Sequence, residues 1–440
     1  MLNEFAKNTL ITFVTRVLTA VFGIIITIII ARTLGPEGQG IYSLAILLPT
    51  TLLLFTIFGL NVSSIFYIGR KKYSPQEVFG QNVLYSFFLG ILTILIGLLI
   101  IFFFSDRFFP GVERVYLFLA LFLIPFNLFF ALISSILLGM QEIKKYNFIS
   151  FLQVLFFLLF VLIFILGFHF GVTVTILAQT LSFVLAGVVL FFVVKKEVGS
   201  LIFKLNKNYF KDAISYGLKN YLGGVLNFLH YRIDMFLINL FLNPLAVGFY
   251  YVAVRLAESI WLVSQSAATI LFPKVAAETD GQRLKHFTPL VCRNILFITF
   301  LIAIILFIFS NFLITVFYSE EFSDSVRPFQ ILLIGTLFIA GWTILANDIG
   351  GRGKPMINTY VSAFSVVLNI ILNIVWIPKW GIEGAALATA VSYFAVFIIT
   401  VFVYTRISGN RMIDVIFPQK SDLALYKSIF LFLRGKTKTI

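Results

Sequence analysis

Five ionisable side chains fall inside long apolar stretches of this 440-residue chain: Arg16, Arg232, Asp234, Arg255 and Glu258. On insertion scales a charge at the bilayer centre costs roughly 2.5 to 3.5 kcal/mol, so each needs a partner or a water-filled cavity. Arg232 and Arg255 lie at matching depth, each 11 residues from the turn at Asn243 and Pro244. Eleven helical residues reach about 17 Å, too deep for easy escape to the interface. Arg16 lies about two turns from a helix end and can snorkel. Three cations cannot all pair with two anions. Arginine holds two phosphate oxygens in its planar fork, so the chemistry indicated is recognition of a phosphorylated head group by Arg255, Arg16 and Arg232. For Asp234 and Glu258 two roles stay open: binding a coupling ion, or internal salt bridges such as Arg232 to Glu258 or Arg255 to Asp234.

Spacing decides which faces these groups share. Arg255, Glu258, Leu262, Gln265 and Thr269 follow a helical period, as do Thr12, Arg16, Thr19, Gly23 and Thr27. His230 and Asp234 share a face, with Arg232 turned away from Asp234. Gln265, Asn227, Asn369 and Asn373 are further candidates for lining a polar cavity. Asn369 and Asn373, four apart, suit hydrogen bonding between helices equally well.

The elements that position these residues are transmembrane helices. The chain is 60% hydrophobic and 12% charged, with mean hydropathy +1.02, against about 25% charged for soluble domains. Twelve apolar runs, each able to cross a core of about 30 Å as a helix, are expected near residues 9–30, 41–68, 78–104, 115–138, 147–168, 172–194, 214–242, 246–273, 288–318, 326–347, 357–378 and 382–405. The second six repeat the first. Gly381, Leu387, Ala388 and Ser392 match Gly171, Leu177, Ala178 and Ser182 in register, 210 positions apart. Leu34, Pro36, Gly40, Tyr42 and Ala45 return 208 positions on as Leu242, Pro244, Gly248, Tyr250 and Ala253, and Gly139 returns 212 on as Gly351. The expected fold is all-α and integral to the membrane, with two homologous six-helix bundles of about twelve transmembrane helices. Bundles at 1–200 and 214–405 are joined by an amphipathic linker at 201–213 and followed by a basic amphipathic tail at 406–440. Six crossings per half give both repeats one orientation, an arrangement typical of transporters.

Lysine and arginine concentrate in alternate loops, which places both termini on the cytoplasmic side of the cytoplasmic membrane. The net charge of +14 therefore faces anionic lipid and indicates no nucleic-acid partner. One cysteine, Cys292, rules out an internal disulfide, and three histidines without ligand spacing offer no zinc site. Gly350-Gly-Arg-Gly-Lys354 lacks the Ser or Thr of a phosphate loop, Pro355 standing in that place. No loop carries paired carboxylates with a histidine, so the chain reads as a transporter and not an enzyme, with no cofactor.

Three segments together resemble polysaccharide transporters of the multidrug/oligosaccharidyl-lipid/polysaccharide (MOP) exporter superfamily. They are Ala31-Arg-Thr-Leu-Gly-Pro-Glu-Gly-Gln-Gly-Ile-Tyr-Ser-Leu-Ala45, then Arg232-Ile-Asp-Met with Val247-Gly-Phe-Tyr-Tyr-Val-Ala-Val-Arg255, then Gly351-Arg-Gly-Lys354 with Ile377 to Thr389. The resemblance implies a V-shaped pair of bundles, as in multidrug and toxin extruders, around a central cavity lined by arginines of the first and eighth helices, where Arg16 and Arg255 stand. It implies a flippase moving polyprenyl-diphosphate-linked oligosaccharide outward for surface polysaccharide assembly by alternating access. Membrane lipids, a polysaccharide polymerase and export machinery would be its partners, and the membrane potential, H+ or Na+ its driving force. An ion-coupled multidrug antiporter on the same fold is the alternative reading, and a membrane glycan polymerase or transferase a third.

Overall fold

A computed structural model describes residues 2–168, 171–199, 202, 206–278, 281–419 and 422. In chain order the helices are α1 (Leu2–Thr56), α2 (Leu60–Gly69), α3 (Pro75–Phe108), α4 (Arg114–Leu121), α5 (Leu123–Gly139), α6 (Ile143–Phe168), α7 (Val172–Val198), α8 (Lys207–Phe241), α9 (Pro244–Glu258), α10 (Trp261–Ala277), α11 (Gly281–Ile308), α12 (Ser310–Phe317), α13 (Val326–Gly351), α14 (Pro355–Ser408) and α15 (Met412–Ile416). No strand occurs among the described residues.

Eight of these helical segments are long and apolar enough to cross a membrane, nine with α9 and α10 counted as one bent span. The protein is a multi-pass membrane protein. At 55 and 54 residues, α1 and α14 would each extend about 80 Å if straight, far beyond a core of about 30 Å. Each instead breaks at a glycine with positive φ, Gly35 (φ 68°) and Gly381 (φ 59°), and so supplies two crossings. With α8, 35 residues long and the least apolar of the long helices, the crossings number twelve among the described residues. Other breaks have local causes. Pro125 has no N–H to give the carbonyl of Leu121, and the helix is interrupted there, between α4 and α5.

The chain forms two compact units. The first comprises residues 1–252, 314–325 and 377–382, and the second 253–313, 326–376 and 383–440. In the first, Ile26, Ile30, Tyr42, Ala120, Val161 and Ile176 pack as a core among α1, α4, α6 and α7. In the second, Leu271, Val275, Cys292, Ile344, Phe397 and Tyr404 join α10, α11, α13 and α14. The repeat shows in the contacts within each unit. A Cβ on Gly139 would come within 2.9 Å of Ile68, and one on Gly351 within 2.9 Å of Val275, so the glycine ending the fourth span of each half lets the second span approach at an equivalent place. Gln153 donates to the Ser182 hydroxyl at 3.1 Å, and in the other repeat Ser365 donates to the Ser392 carbonyl at 3.2 Å.

The stretch read as an interfacial linker is not a separate helix from residue 207 onward. Asn206 caps α8, accepting hydrogen bonds from the backbone N–H groups of Asn208 and Tyr209. The helix then continues into the seventh span, because Tyr209 is 1% exposed and bonds the Ser64 hydroxyl at 3.0 Å, which ties its first turns to α2. Residues 201 and 203–205 lie outside the described residues, as do 423–440, most of the stretch read as an amphipathic tail.

Candidate functional site

Two polar centres occupy the expected spans, one in each unit. In the first unit Asp234, 3% exposed on α8, accepts a hydrogen bond at 2.6 Å from the Tyr250 hydroxyl of α9 and one at 2.8 Å from the Met235 N–H. A buried carboxylate held this way is fixed in orientation. Arg232, two residues away and partly buried, gives one N–H to the Tyr231 carbonyl at 3.0 Å and forms part of the wall of a crevice of about 260 Å³. The remaining wall is almost wholly leucine, isoleucine and phenylalanine.

In the second unit Arg255 and Glu258 face each other at 3.6 Å across one helical turn, with side chains 37% and 14% exposed. They sit where the span bends by 44° between α9 and α10. At the bend the Ser259 and Ile260 N–H groups bond three residues back, to Leu256 and Ala257, a tightening that ends a helix. The bend thus presents a partly exposed cation far from either end of the span. Gln265, further along the predicted stripe, is exposed.

The other predicted residues divide. Arg16 is exposed on the first segment of α1, while its stripe neighbours turn inward: Thr12 accepts a hydrogen bond at 2.8 Å from Asn147, and Thr27 is buried. Asn369 and Asn373 are fully buried. Asn369 donates to the Thr389 hydroxyl at 3.3 Å and so joins the two segments of α14, while Asn373 donates to the Asn369 side chain at 3.0 Å within the first of them. The Asn227 side chain lies outside the described residues.

Two buried ion pairs were not singled out by the sequence reading. Asp348, fully buried near the end of α13, pairs with Arg352 one turn on and accepts a hydrogen bond at 2.5 Å from Thr288. Arg293 forms a two-pronged pair with Asp422, both bonds 2.6 Å, with side chains 8% and 1% exposed. It also donates to the Asp414 carbonyl at 3.1 Å, strapping the segment after α14 onto α11. The arginine fork holds the Asp422 carboxyl below its usual range. The four-residue spacing of Asp348 and Arg352 was the available signal. Nothing in the sequence connects residue 293 with 422.

Comparison with known proteins fits this architecture. Over 98% of this chain and 93% of the other, the fold superposes on the lipid II flippase MurJ in an inward closed conformation, with TM-score 0.76 at 17% identity. It also superposes on an inward-facing multidrug resistance MATE family transporter of the MOP superfamily, with TM-score 0.75 at 16% identity over 89% of this chain and 94% of the other. The fold is therefore the one shared with these transporters. Residues 5–277 match the family of polysaccharide biosynthesis proteins, and the chain belongs to that family. Residues 221–375 also match the MatE family. The chain is 23% identical to the capsular polysaccharide biosynthesis protein CapF of Staphylococcus aureus over 91% of its length and 99% of CapF. It is 26% identical to the probable low-salt glycan biosynthesis flippase Agl15 of Haloferax volcanii, over 52% of this chain and only 53% of that protein.

Proposed function

We propose that the protein is a flippase carrying polyprenyl-diphosphate-linked oligosaccharide from the cytoplasmic to the outer leaflet of the cytoplasmic membrane, for assembly of a surface polysaccharide. The observation that carries this reading is Arg255, partly exposed at a mid-span bend in a polysaccharide biosynthesis family member. A sugar hydroxyl taken into hydrocarbon without a partner costs several kcal/mol, so an oligosaccharide head needs a polar path. In this reading the repeats at 1–200 and 214–405 rock to open that path alternately to either side. Arg255, Arg232 and Arg16 hold the diphosphate on the way. Glu258, beside Arg255, limits the net positive charge, so that the head group is released. An inside-negative potential of 100 mV acting on about two negative charges contributes about 4 to 5 kcal/mol outward. H+ or Na+ coupling through Asp234 is a further source of drive. Both termini are cytoplasmic in this scheme, and a polymerase and export machinery take up the product.

Arg255→Ala should abolish surface polysaccharide in cells while the protein stays in the membrane at wild-type level. Near-normal polysaccharide in that variant would sink the reading. The match to the MatE family over 221–375 and the hydrogen-bonded Asp234 favour a second reading, ion-coupled drug antiport. It would show as drug resistance on expression that is lost in Asp234→Asn.

A further inference from the structure

One pair of repeat-related positions is packed in the second unit and open in the first. In the registers of the two repeats Phe129 and Gly187 correspond to Gly341 and Phe397, so the large and the small partner trade places. In the second unit a Cβ on Gly341 would strike the ring of Phe397, which is 3% exposed in the core, so the ring packs directly onto the glycine. In the first unit a Cβ on Gly187 would stand 3.5 Å from the Phe129 ring, an ordinary contact distance, and a groove of about 460 Å³ lies beside it. Phe126 and Phe129 of α5 form one side of the groove, and Val184, Gly187, Val188 and Phe192 of α7 the other. Val188 and Phe192 are 47% and 62% exposed, so the groove opens outward to lipid.

Positive charge stands beyond one end of it. Leu181, Leu185, Val188 and Phe192 form an exposed row at helical spacing, and Lys195 and Lys196, three and four residues past Phe192, continue that row into the last turn of α7. Both lysines are exposed. The neighbouring acid, Glu197, is paired with Lys145 at 2.8 Å, and neither Lys195 nor Lys196 has a carboxylate partner among the described residues. From Val184 to Lys195 a helix rises about 16 Å, close to half of a hydrocarbon core of about 30 Å. A chain reaching from the lysines along the groove therefore spans one leaflet. The groove wall offers water no hydrogen bond and suits hydrocarbon, while the lysines attract a head group of net negative charge.

We infer that this groove is a binding site for an anionic phospholipid, with one acyl chain lying between α5 and α7 and the phosphodiester at Lys195 and Lys196. By the positive-inside rule the lipid comes from the cytoplasmic leaflet. The site shares no residue with the arginines and carboxylates assigned to transport, and the inference does not rest on the flippase reading.

The test is photolabelling of the full-length protein in nanodiscs, followed by peptide mapping. The probe is phosphatidylglycerol carrying a diazirine midway along one acyl chain, compared with phosphatidylcholine carrying the same group at the same mole fraction. Peptides containing residues 126–129 and 184–192 should take at least fivefold more label from phosphatidylglycerol. Label in these peptides should fall in Gly187→Leu, which fills the groove. Because that variant could misfold, Lys195→Gln with Lys196→Gln, both at exposed positions, is the second: the excess of phosphatidylglycerol over phosphatidylcholine should vanish. Equal labelling by the two lipids, or an excess that survives the loss of both lysines, would overturn the inference. Displacement of the label by polyprenyl diphosphate, but not by the same amount of unlabelled phosphatidylglycerol, would also overturn it, because the groove would then hold the tail of the cargo. None of these results tells against the flippase reading, which Arg255→Ala tests separately.

Discussion

The two sequence repeats share a scaffold and differ in charge. In the 208-residue register, Arg255 and Glu258 of the eighth span fall on Leu47 and Thr50 of the second, and His230, Arg232 and Asp234 of the seventh fall on Phe22, Ile24 and Ile26 of the first. In the 212-residue register, Asp348 and Arg352 fall on Ile136 and Met140. The first repeat therefore builds the same spans with uncharged residues at these positions. Both repeats interrupt the second span of the half, but at different depths: the first at residues 57–59, the second directly after Glu258. The mid-span charges are thus not a requirement of the fold. A cost of roughly 2.5 to 3.5 kcal/mol for each intramembrane charge, borne at these positions by one repeat only, is what the proposed use of Arg255 in transport would account for.

The sharpest way to break this comparison is to make the repeats alike. Arg255→Leu installs the residue of the first repeat, and surface polysaccharide should fall at least 100-fold in a quantitative cell-surface glycan assay. The thermal unfolding midpoint should stay close to wild type. A large fall in that midpoint would mean that the arginine is structural.

The second unit's strap should matter for stability. Leaving a buried charge without its partner costs about 3 to 5 kcal/mol, so Asp422→Ala should lower the unfolding midpoint by several degrees. Arg293→Met with Asp422→Leu should restore most of the loss. A Cβ on Gly40 would strike the Pro244 carbonyl and one on Gly248 the Pro36 carbonyl, a reciprocal contact between α1 and α9 that predicts similar effects at repeat-related positions. Gly40→Ala and Gly248→Ala should each cost about 1 to 3 kcal/mol by overpacking, read as unfolding in denaturant. A large effect at one glycine and none at the other would show that the contact is not reciprocal.

The smallest expected effect is a pH dependence at the start of α8. Lys72 and Tyr73 both bond the Asp212 carboxylate at 2.6 Å and hold its pKa below the usual value, while burial and the bond to Asp212 push the Tyr73 hydroxyl up to about 12. With the folded pKa depressed, this contribution is complete above the ordinary carboxylate range near pH 4 and is lost as pH falls through the folded value. Hydrogen exchange of the first turns of α8 should therefore rise below about pH 4, and Asp212→Asn should remove that rise.

Most of the scaffold was legible because bilayer thickness and apolar run length determine it. The run at 41–68 was read as one span, and the structure divides it at Phe58 and Gly59, both with positive φ. How the elbow packs was not legible, because an amphipathic stretch carries no sign of which surface takes its apolar face, and here α2 takes Tyr209. Charge depth was legible for Arg232 and Arg255, which lie far from any loop. It failed for Arg293 and Asp348, since a charge at or near the end of an apolar run looks solvated until the packing around it is known. Asn369 and Asn373 had two readings, and their hydrogen bonds favour joining helices.

The measurement that tests the central claim most directly is mass spectrometry of lipids retained by the protein purified in mild detergent, comparing wild type with Arg255→Leu. A polyprenyl diphosphate glycan held by wild type and absent from the variant is the expected result. The same lipid retained in equal amount by both proteins would contradict the assignment of the mid-span arginine to cargo.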